Sequence, residues 1–293
     1  MMKVLHFKWH YLQICLCFVA VLFLAICGIT FHLQTKAATA DQPEELLYCS
    51  EKIDLPILMY HSILKDPKRA DTYVLSPEQF ETDLKYLKNH GYTTIVMADL
   101  IAYVYENQPL PEKPIMITFD DGYYNNYYYV FDILKKYQAK IVLSPIASWS
   151  EKFSNTPDPN PNYAHVTWDN LKEMTESGLV EIQNHSYNFH TLTNRKGARI
   201  NQGESEAAYR EIFLADTEKA QNLLKEYVGV TPTVYTYPFG AYCKESEALI
   251  KEMGFKGSFI TCDKHNTITK DPNCLYKLNR YNRPAHISTE EFM

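Results

Sequence analysis

A parallel α/β fold, closed as a distorted (β/α)7 barrel in a single catalytic domain, is the architecture this chain predicts. Three observations carry the prediction. Short apolar runs without helical period alternate about seven times with amphipathic segments, and no segment repeats another. Several of these runs end on groups able to do chemistry: His61, the pair Asp120 and Asp121, His185 with His190, and Pro238-Phe239. Parallel sheets place their functional groups at the carboxyl ends of strands, so this recurrence fits one working face.

The first forty residues stand apart. Lys3 and Lys8 precede residues 11–33, which contain no Lys, Arg, Asp or Glu. About twenty apolar residues span a bilayer, so 1–33 reads as a transmembrane signal anchor with its basic end cytoplasmic. A cleaved signal peptide is the alternative, because Ala38-Thr-Ala40 fits a small-residue cleavage site. Both readings place the domain on the extracellular face of the cell membrane or release it. Residues 34–54, polar with Pro43, read as a linker, and 55–293 as the catalytic domain.

In chain order, Leu55 to Ser62 is a strand ending at His61, and Lys65 to Thr72 a charged loop. Ser76-Pro-Glu-Gln79 forms a capping box with proline at the first helical position; Phe80, Leu84 and Leu87 give that helix its apolar stripe, and Gly91 stops it. Thr93 to Met97 is β-rich, and Ala98 to Tyr105 a short helix. The apolar run Pro114-Ile-Met-Ile-Thr-Phe119 has strand length and leads into Asp120, Asp121 and Gly122, where glycine lets the chain turn away. Tyr123 to Tyr137 is helical, burying Val130, Phe131 and Leu134. Lys140 to Leu143 is a strand, and 150–164, with Pro157, Pro159 and Pro161, a long loop.

Thr167 caps a helix through Ser177, and Leu179 to Gln183 is a strand leading to Asn184–His190. Glu204 to Tyr227 is the longest helix. Pro232 to Tyr237 is a strand into Pro238-Phe-Gly240, Lys244 to Met253 a helix, Lys256 to Ile260 a strand, and Tyr276 to Arg280 the last strand before a turn at Ser288–Glu291.

Composition narrows the function. A net charge of -6 excludes nucleic acid as a partner. Of seven cysteines, Cys15, Cys17 and Cys27 fall in the apolar segment, leaving Cys49, Cys243, Cys262 and Cys274. With no C-x-x-C pair, a zinc–cysteine site is excluded; four cysteines permit three disulfide pairings, among which spacing does not choose.

Adjacent carboxylates resist ionising together unless a proton or cation lies between them. His185 and His190 would point about 140° apart on a helix, but a loop after a strand can aim both at one point. Two histidines and a carboxylate suit Zn2+ or another borderline divalent ion and leave positions for water and substrate. Singly, an Asp-Asp-Gly turn or a pair of loop histidines is ordinary. Their joint occurrence is not.

Thr118-Phe-Asp-Asp-Gly122, His185-Ser186…His190 and Tyr235-Thr-Tyr-Pro-Phe-Gly240 resemble the first three motifs of the polysaccharide deacetylases, carbohydrate esterase family 4, whose domain is the NodB type. The resemblance extends over residues 55–290. The His185–His190 spacing and Leu58-Met-Tyr-His61 are similar to the subgroup acting on poly-β-1,6-N-acetylglucosamine. It implies Asp121, His185 and His190 as metal ligands, Asp120 as general base, and Tyr237, Pro238 and Phe239 as a groove wall. Zn2+ is the expected ion, with Co2+, Ni2+ or Fe2+ as alternatives. The division of roles is physically sound, since a carboxylate bound to metal is a poor proton acceptor while its free neighbour is a good one.

Two departures follow. The family's arginine before the third-motif aromatic is Thr236 or Tyr235 here, and the late Leu-x-Leu-His is replaced by Leu278-Asn-Arg280. The general acid then falls to His61, with His286 behind it. Arg280 and Arg283 are assigned to substrate binding or to orienting Asp120. Trp149 is a further substrate wall, Trp168 packs beneath the histidine loop, and Tyr123, Tyr124, Tyr127, Tyr128 and Tyr129 serve packing. The implied activity is hydrolysis of acetamides on an extracellular N-acetylglucosamine polymer by a monomer. Peptidoglycan or O-acetyl-xylan is the alternative substrate, and a non-catalytic surface carbohydrate-binding protein the alternative class.

Overall fold

A computed structural model of the chain describes residues 52–293, which form one compact unit. The apolar segment 1–33 and most of the linker lie outside the described residues. Among the described residues, no helix is long and apolar enough to cross a membrane.

The fold begins earlier than expected. β1 (Ile53–Leu55) lies partly in the segment read as linker, and pairs antiparallel with β11 (Asn266–Ile268), a strand without sequence signal. β2 (Ile57–Tyr60) leads past His61 into β3 (Ser62–Ile63), which pairs with β4 (Val74–Leu75). Helix α1 (Pro77–Asn89) starts with both bonds of the expected capping box and buries Phe80, Leu84 and Leu87. β5 (Thr93–Ile95), α2 (Met97–Glu106) and the fully buried β6 (Pro114–Asp121) follow. A π-turn (Asn126–Val130) opens α3 (Phe131–Tyr137).

After β7 (Ile141–Pro145) the chain forms α4 (Ala147–Asn155), where a loop was expected. The prolines that prevent helix begin only at Pro157, so nothing in Ala147–Asn155 opposes one. α5 (Trp168–Glu176) is capped by Thr167 as anticipated. β8 (Val180–Ile182), α6 (Glu206–Leu223), β9 (Val234–Thr236), α7 (Lys244–Glu252) and β10 (Gly257–Phe259) complete the alternation. β12 (Tyr281–Asn282) lies later than the final strand expected at 276–280, and α8 (Thr289–Phe292), capped by Ser288, replaces the closing turn.

A parallel six-stranded sheet runs β12-β2-β6-β7-β8, with β5 also on β6, and β9 and β10 form a separate parallel pair. The expected continuous barrel ladder is replaced by single bridges, Asn184 to Tyr235 and Phe259 to Leu278, between the two groups. The chain leaves extended geometry there: Ser186 (φ 69°) and Lys277 (φ 60°) are left-handed, which cuts the pairing short.

β6 shows how the sheet aims its chemistry. Ile115, Ile117 and Phe119 pack with the helices in one core cluster, while Met116 joins Val142, Val234 and Phe259 in another. Side chains alternate along a strand, so Asp120 shares the face of Met116 and Thr118, the face shared by β7, β9 and β10.

Candidate active site

At the carboxyl ends of β2, β6 and β8 lies a cavity of about 290 Å³ lined by His61, Asp120, Asp121, His185, His190 and Phe239, with Tyr73 and Tyr123. Another hollow, of about 430 Å³, lies beside Tyr92 and Lys140, away from these groups.

Asp120 is buried and gripped by Arg280 through two bonds, Nη1 to Oδ1 at 2.7 Å and Nη2 to Oδ2 at 2.8 Å. Arg280 also donates Nε to the Ile260 carbonyl at 3.1 Å. Burial is the largest single influence on Asp120 and would raise its pKa; the Arg280 charge, the His185 ring and the Arg280 bonds together outweigh it and hold the carboxyl below its usual range.

Asp121 turns the other way because its backbone is left-handed (φ 70°), as is that of Gly122 (φ 71°). A Cβ on Gly122 would lie 2.7 Å from Cβ of Pro145, so only glycine fits there. The turn brings Asp121 Oδ1 to 3.4 Å from His185 Nε2 and 3.1 Å from His190 Nε2. Neither contact is aligned as a hydrogen bond, and this oxygen is buried without a partner.

His185 Nδ1 lies 2.8 Å from the Thr236 carbonyl, which can only accept, so this nitrogen carries a hydrogen. In the neutral ring, Nε2 then faces Asp121 with a bare lone pair. Three such donor atoms lie within 4.8 Å of one another. Their lone pairs repel unless positive charge sits among them. The titration directions say the same: burial would lower the His185 pKa, but Asp121 and Asp120 raise it. Asp121 itself is held well below the usual range; burial opposes this, and the His185 and His190 rings outweigh burial. The donor set fits a divalent cation of the kind Zn2+ exemplifies.

The histidine loop is fixed from outside. Tyr187 and Asn188 donate their backbone N–H groups to the two oxygens of Asp216 on α6, at 2.9 and 2.8 Å. Burial pushes the Asp216 pKa up to about 6 despite these donors. Nothing in the charged pattern of α6 singled this residue out.

His61 reaches the cavity from the end of β2, with Tyr73 edge-on at 4.9 Å between ring centres. Its Nδ1 is buried without a partner. Burial lowers its pKa, and Asp121 and Asp120 partly offset that.

Other assignments are corrected. Of the third-motif wall only Phe239 faces the cavity; it is left-handed (φ 58°), 41% exposed, and its ring centre lies 4.2 Å from that of His190. Tyr237 and Pro238 are buried: Tyr237 keeps the face of Tyr235, two residues back on β9, and packs among Tyr235 and Tyr242, and Pro238 opens a tight buried turn. Arg280 is wholly buried, so it orients Asp120 and is no substrate-binding surface. Arg283 is buried against Asp83, and His286 is exposed and does not line the cavity. Trp149 does not line the cavity either, because α4 lays it flat on His165, 5.1 Å away at 12°. Trp168 stacks on Tyr227 and belongs to the core cluster against which Tyr187 of the histidine loop packs.

Tyr73, not singled out, and Tyr123, assigned to packing, also line the cavity, and His165 backs Tyr123. Tyr123 lines the cavity beside Asp121 and stacks on His165, whose Nδ1 lies 3.0 Å from the Asp121 carbonyl. The position of Tyr123, one residue past the Asp-Asp-Gly turn, was the available signal; the lone His165 offered none. Cys243, Cys262 and Cys274 are free thiols, and Cys49 lies outside the described residues.

Comparison with known proteins supplies the family. The poly-β-1,6-N-acetyl-D-glucosamine N-deacetylase of Escherichia coli (strain K12) is 30% identical over 191 residues, 58% of this chain and 28% of that protein. The chain thus matches little more than a quarter of that relative's length. The protein of the same name from Staphylococcus aureus (strain N315) is 25% identical over 255 residues, 82% of this chain and 81% of its own. A solved de-N-acetylase from Aggregatibacter actinomycetemcomitans superposes with a TM-score of 0.67 at 26% identity, covering 81% of this chain and 96% of its own. The family model described as polysaccharide deacetylase matches residues 107–258, from the approach to β6 through β10. With just over half of its length matched, the chain belongs to the polysaccharide deacetylase family.

Proposed function

We propose that this protein is a divalent-metal-dependent N-deacetylase that hydrolyses acetamide groups on N-acetylglucosamine units of a poly-β-1,6-linked polymer. The observation that carries the reading is the pairing of a charged, Arg280-clamped Asp120 with the three converging donors of Asp121, His185 and His190. Those three residues would hold the cation, which supplies Lewis acidity that lowers the pKa of water and polarises a carbonyl.

Asp120 is the general base: its charge is secured by Arg280, and it takes a proton from water as the new C–O bond forms. His61 is the general acid and delivers a proton to the nitrogen as the C–N bond breaks, releasing acetate and a free amine. Burial reduces the population of its imidazolium and makes that form the stronger acid. Phe239, exposed over His190, offers an apolar face to the sugar.

Arg280 supplies beside Asp120 the positive charge absent beside the third motif, which favours turnover over the non-catalytic reading. The bridges at Tyr235 and Leu278 support closure of the strands into a distorted barrel. The uncharged run at 11–33 supports a site outside the cell, held at or released from the membrane.

The test is acetate release from poly-N-acetylglucosamine, with peptidoglycan and acetyl-xylan in parallel. Chelation should abolish release and Zn2+ or Co2+ restore it. Asp120→Asn should lower kcat by roughly 10²–10⁴-fold, the usual worth of a general base. Release that survives both chelation and Asp120→Asn would defeat the mechanism.

A further inference from the structure

The segment after the Asp-Asp-Gly turn is conspicuous for its tyrosines, of which Tyr123 lines the cavity, but two asparagines among them hold the backbone that carries His61. Asn125 and Asn126 are buried, at 1% and 0% exposure. Asn126 Nδ2 donates to the His61 backbone carbonyl at 2.8 Å. Asn125 accepts from the Ile63 backbone N–H at 2.9 Å and donates Nδ2 to Ser62 Oγ, also at 2.9 Å. Asn126 Nδ2 is shared with Asn125 Oδ1 at 3.2 Å, which ties the two amides together.

This clip acts where the sheet does not. The β2–β6 ladder ends at the pair Tyr60 and Phe119, and the β3–β4 ladder begins at Ser62. His61 lies between the two. Its neighbours belong to different sheets, and the two asparagines tie His61, which neither ladder holds, to Ser62 and Ile63 of β3. The direction of the Asn126 amide is also determined. Its Nδ2 faces two acceptors, the His61 carbonyl and Asn125 Oδ1, so a flip would set oxygen against oxygen. The π-turn opens at Asn126 itself, and such irregular turns concentrate at functional sites.

We propose that Asn126, braced by Asn125, is a positioning residue that sets the height and direction of the His61 ring over the scissile nitrogen. The assignment rests on His61 as the general acid. It joins the acid to the strand that carries the base and one of the metal donors: β6 presents Asp120 and Asp121, and the next turn reaches back to hold the acid. A misplacement of about 1 Å at a reacting group can cost around 10²-fold in rate.

The test compares two substrates on the full chain loaded with Zn2+. An N-acetylglucosamine oligomer releases an amine, which must be protonated to leave; an aryl acetate releases a phenolate, which need not be. Asn126→Ala should lower kcat on the oligomer about 10- to 100-fold with little change in KM, and change aryl ester hydrolysis less than about threefold. In the His61→Ala background the same substitution should cost nothing further. Asn126→Ser, polar but too short to span the distance, is read in place of Asn126→Ala if that variant fails to accumulate. Equal losses on amide and ester, no loss on either, or losses that multiply with those of His61→Ala would overturn the proposal. His61→Ala alone tests the premise separately: an unchanged amide-to-ester ratio in that variant sinks the acid assignment itself, and the proposal with it.

Discussion

Arg280 and Asp120 are the most consequential pair at the scale of single residues. Removing one partner of a buried ion pair leaves an uncompensated charge, at a cost of about 3–5 kcal/mol. Arg280→Met is therefore expected to destabilise the fold by that amount, seen in the urea midpoint, and to abolish acetate release. Arg280→Lys should not restore it, because an ammonium cannot meet both carboxylate oxygens as the guanidinium fork does. A lysine variant with parental activity would show that charge alone suffices. Much of this site could be read in advance: Asp120, Asp121, His185, His190 and His61 all meet in one cavity. Orienting Asp120 was one of two roles open to Arg280, and the choice could not be made, since a buried arginine is written with the same letter as a solvated one and its partner lies 160 positions away. Tyr237 was misplaced because it keeps the buried face of Tyr235, while Phe239 reaches the cavity through a left-handed backbone that strand alternation does not foresee.

Elements were most legible where local chemistry decides them. Ser76 and Thr167 each cap a helix through their own side-chain oxygens. α4 and β11 escaped because neither has a start signal of its own, and both are held by tertiary contact. The histidine loop shows how one element disciplines another. Asp216 on α6 holds the two N–H groups between His185 and His190, and its pKa, at about 6, stands above that of an unfolded aspartate. Its contribution to stability is thus full below about pH 4 and is lost as pH rises through about 6. With chelator present, the melting temperature of Asp216→Asn should gain on that of the parent between pH 4 and 6; a constant difference across that range would refute the linkage. The Asp-Asp-Gly turn is equally exacting. Gly122→Ala meets Pro145 at 2.7 Å in a left-handed conformation, and a loss of roughly 1–3 kcal/mol or more is expected in urea unfolding.

For the whole molecule, the segment from 276 to 293 works as a fastening. Arg283 pairs with buried Asp83 on α1 at 2.9 and 3.1 Å, and Tyr60 and Thr289 complete the bonds to that carboxylate at 3.0 and 2.6 Å. Arg283→Met should therefore cost about 3–5 kcal/mol by the same physics as Arg280→Met. Its effect on kcat, however, should stay within about threefold, since the Arg283 side chain does not line the cavity. Comparing the two variants by urea midpoint and by acetate release separates fastening from catalysis.

The distance along the chain between Asp120 and Arg280 also sets an order of events during synthesis. Asp121, His185 and His190 have all left the ribosome while Arg280 is still to be translated. Contacts between remote positions form late, because the intervening loop must close before they are rewarded. A nascent chain can therefore gather its cation donors well before Asp120 receives its counter-charge. Ion capture and hydrolytic competence are in this way separated in time, and the second waits for delivery of the strand that ends the sheet.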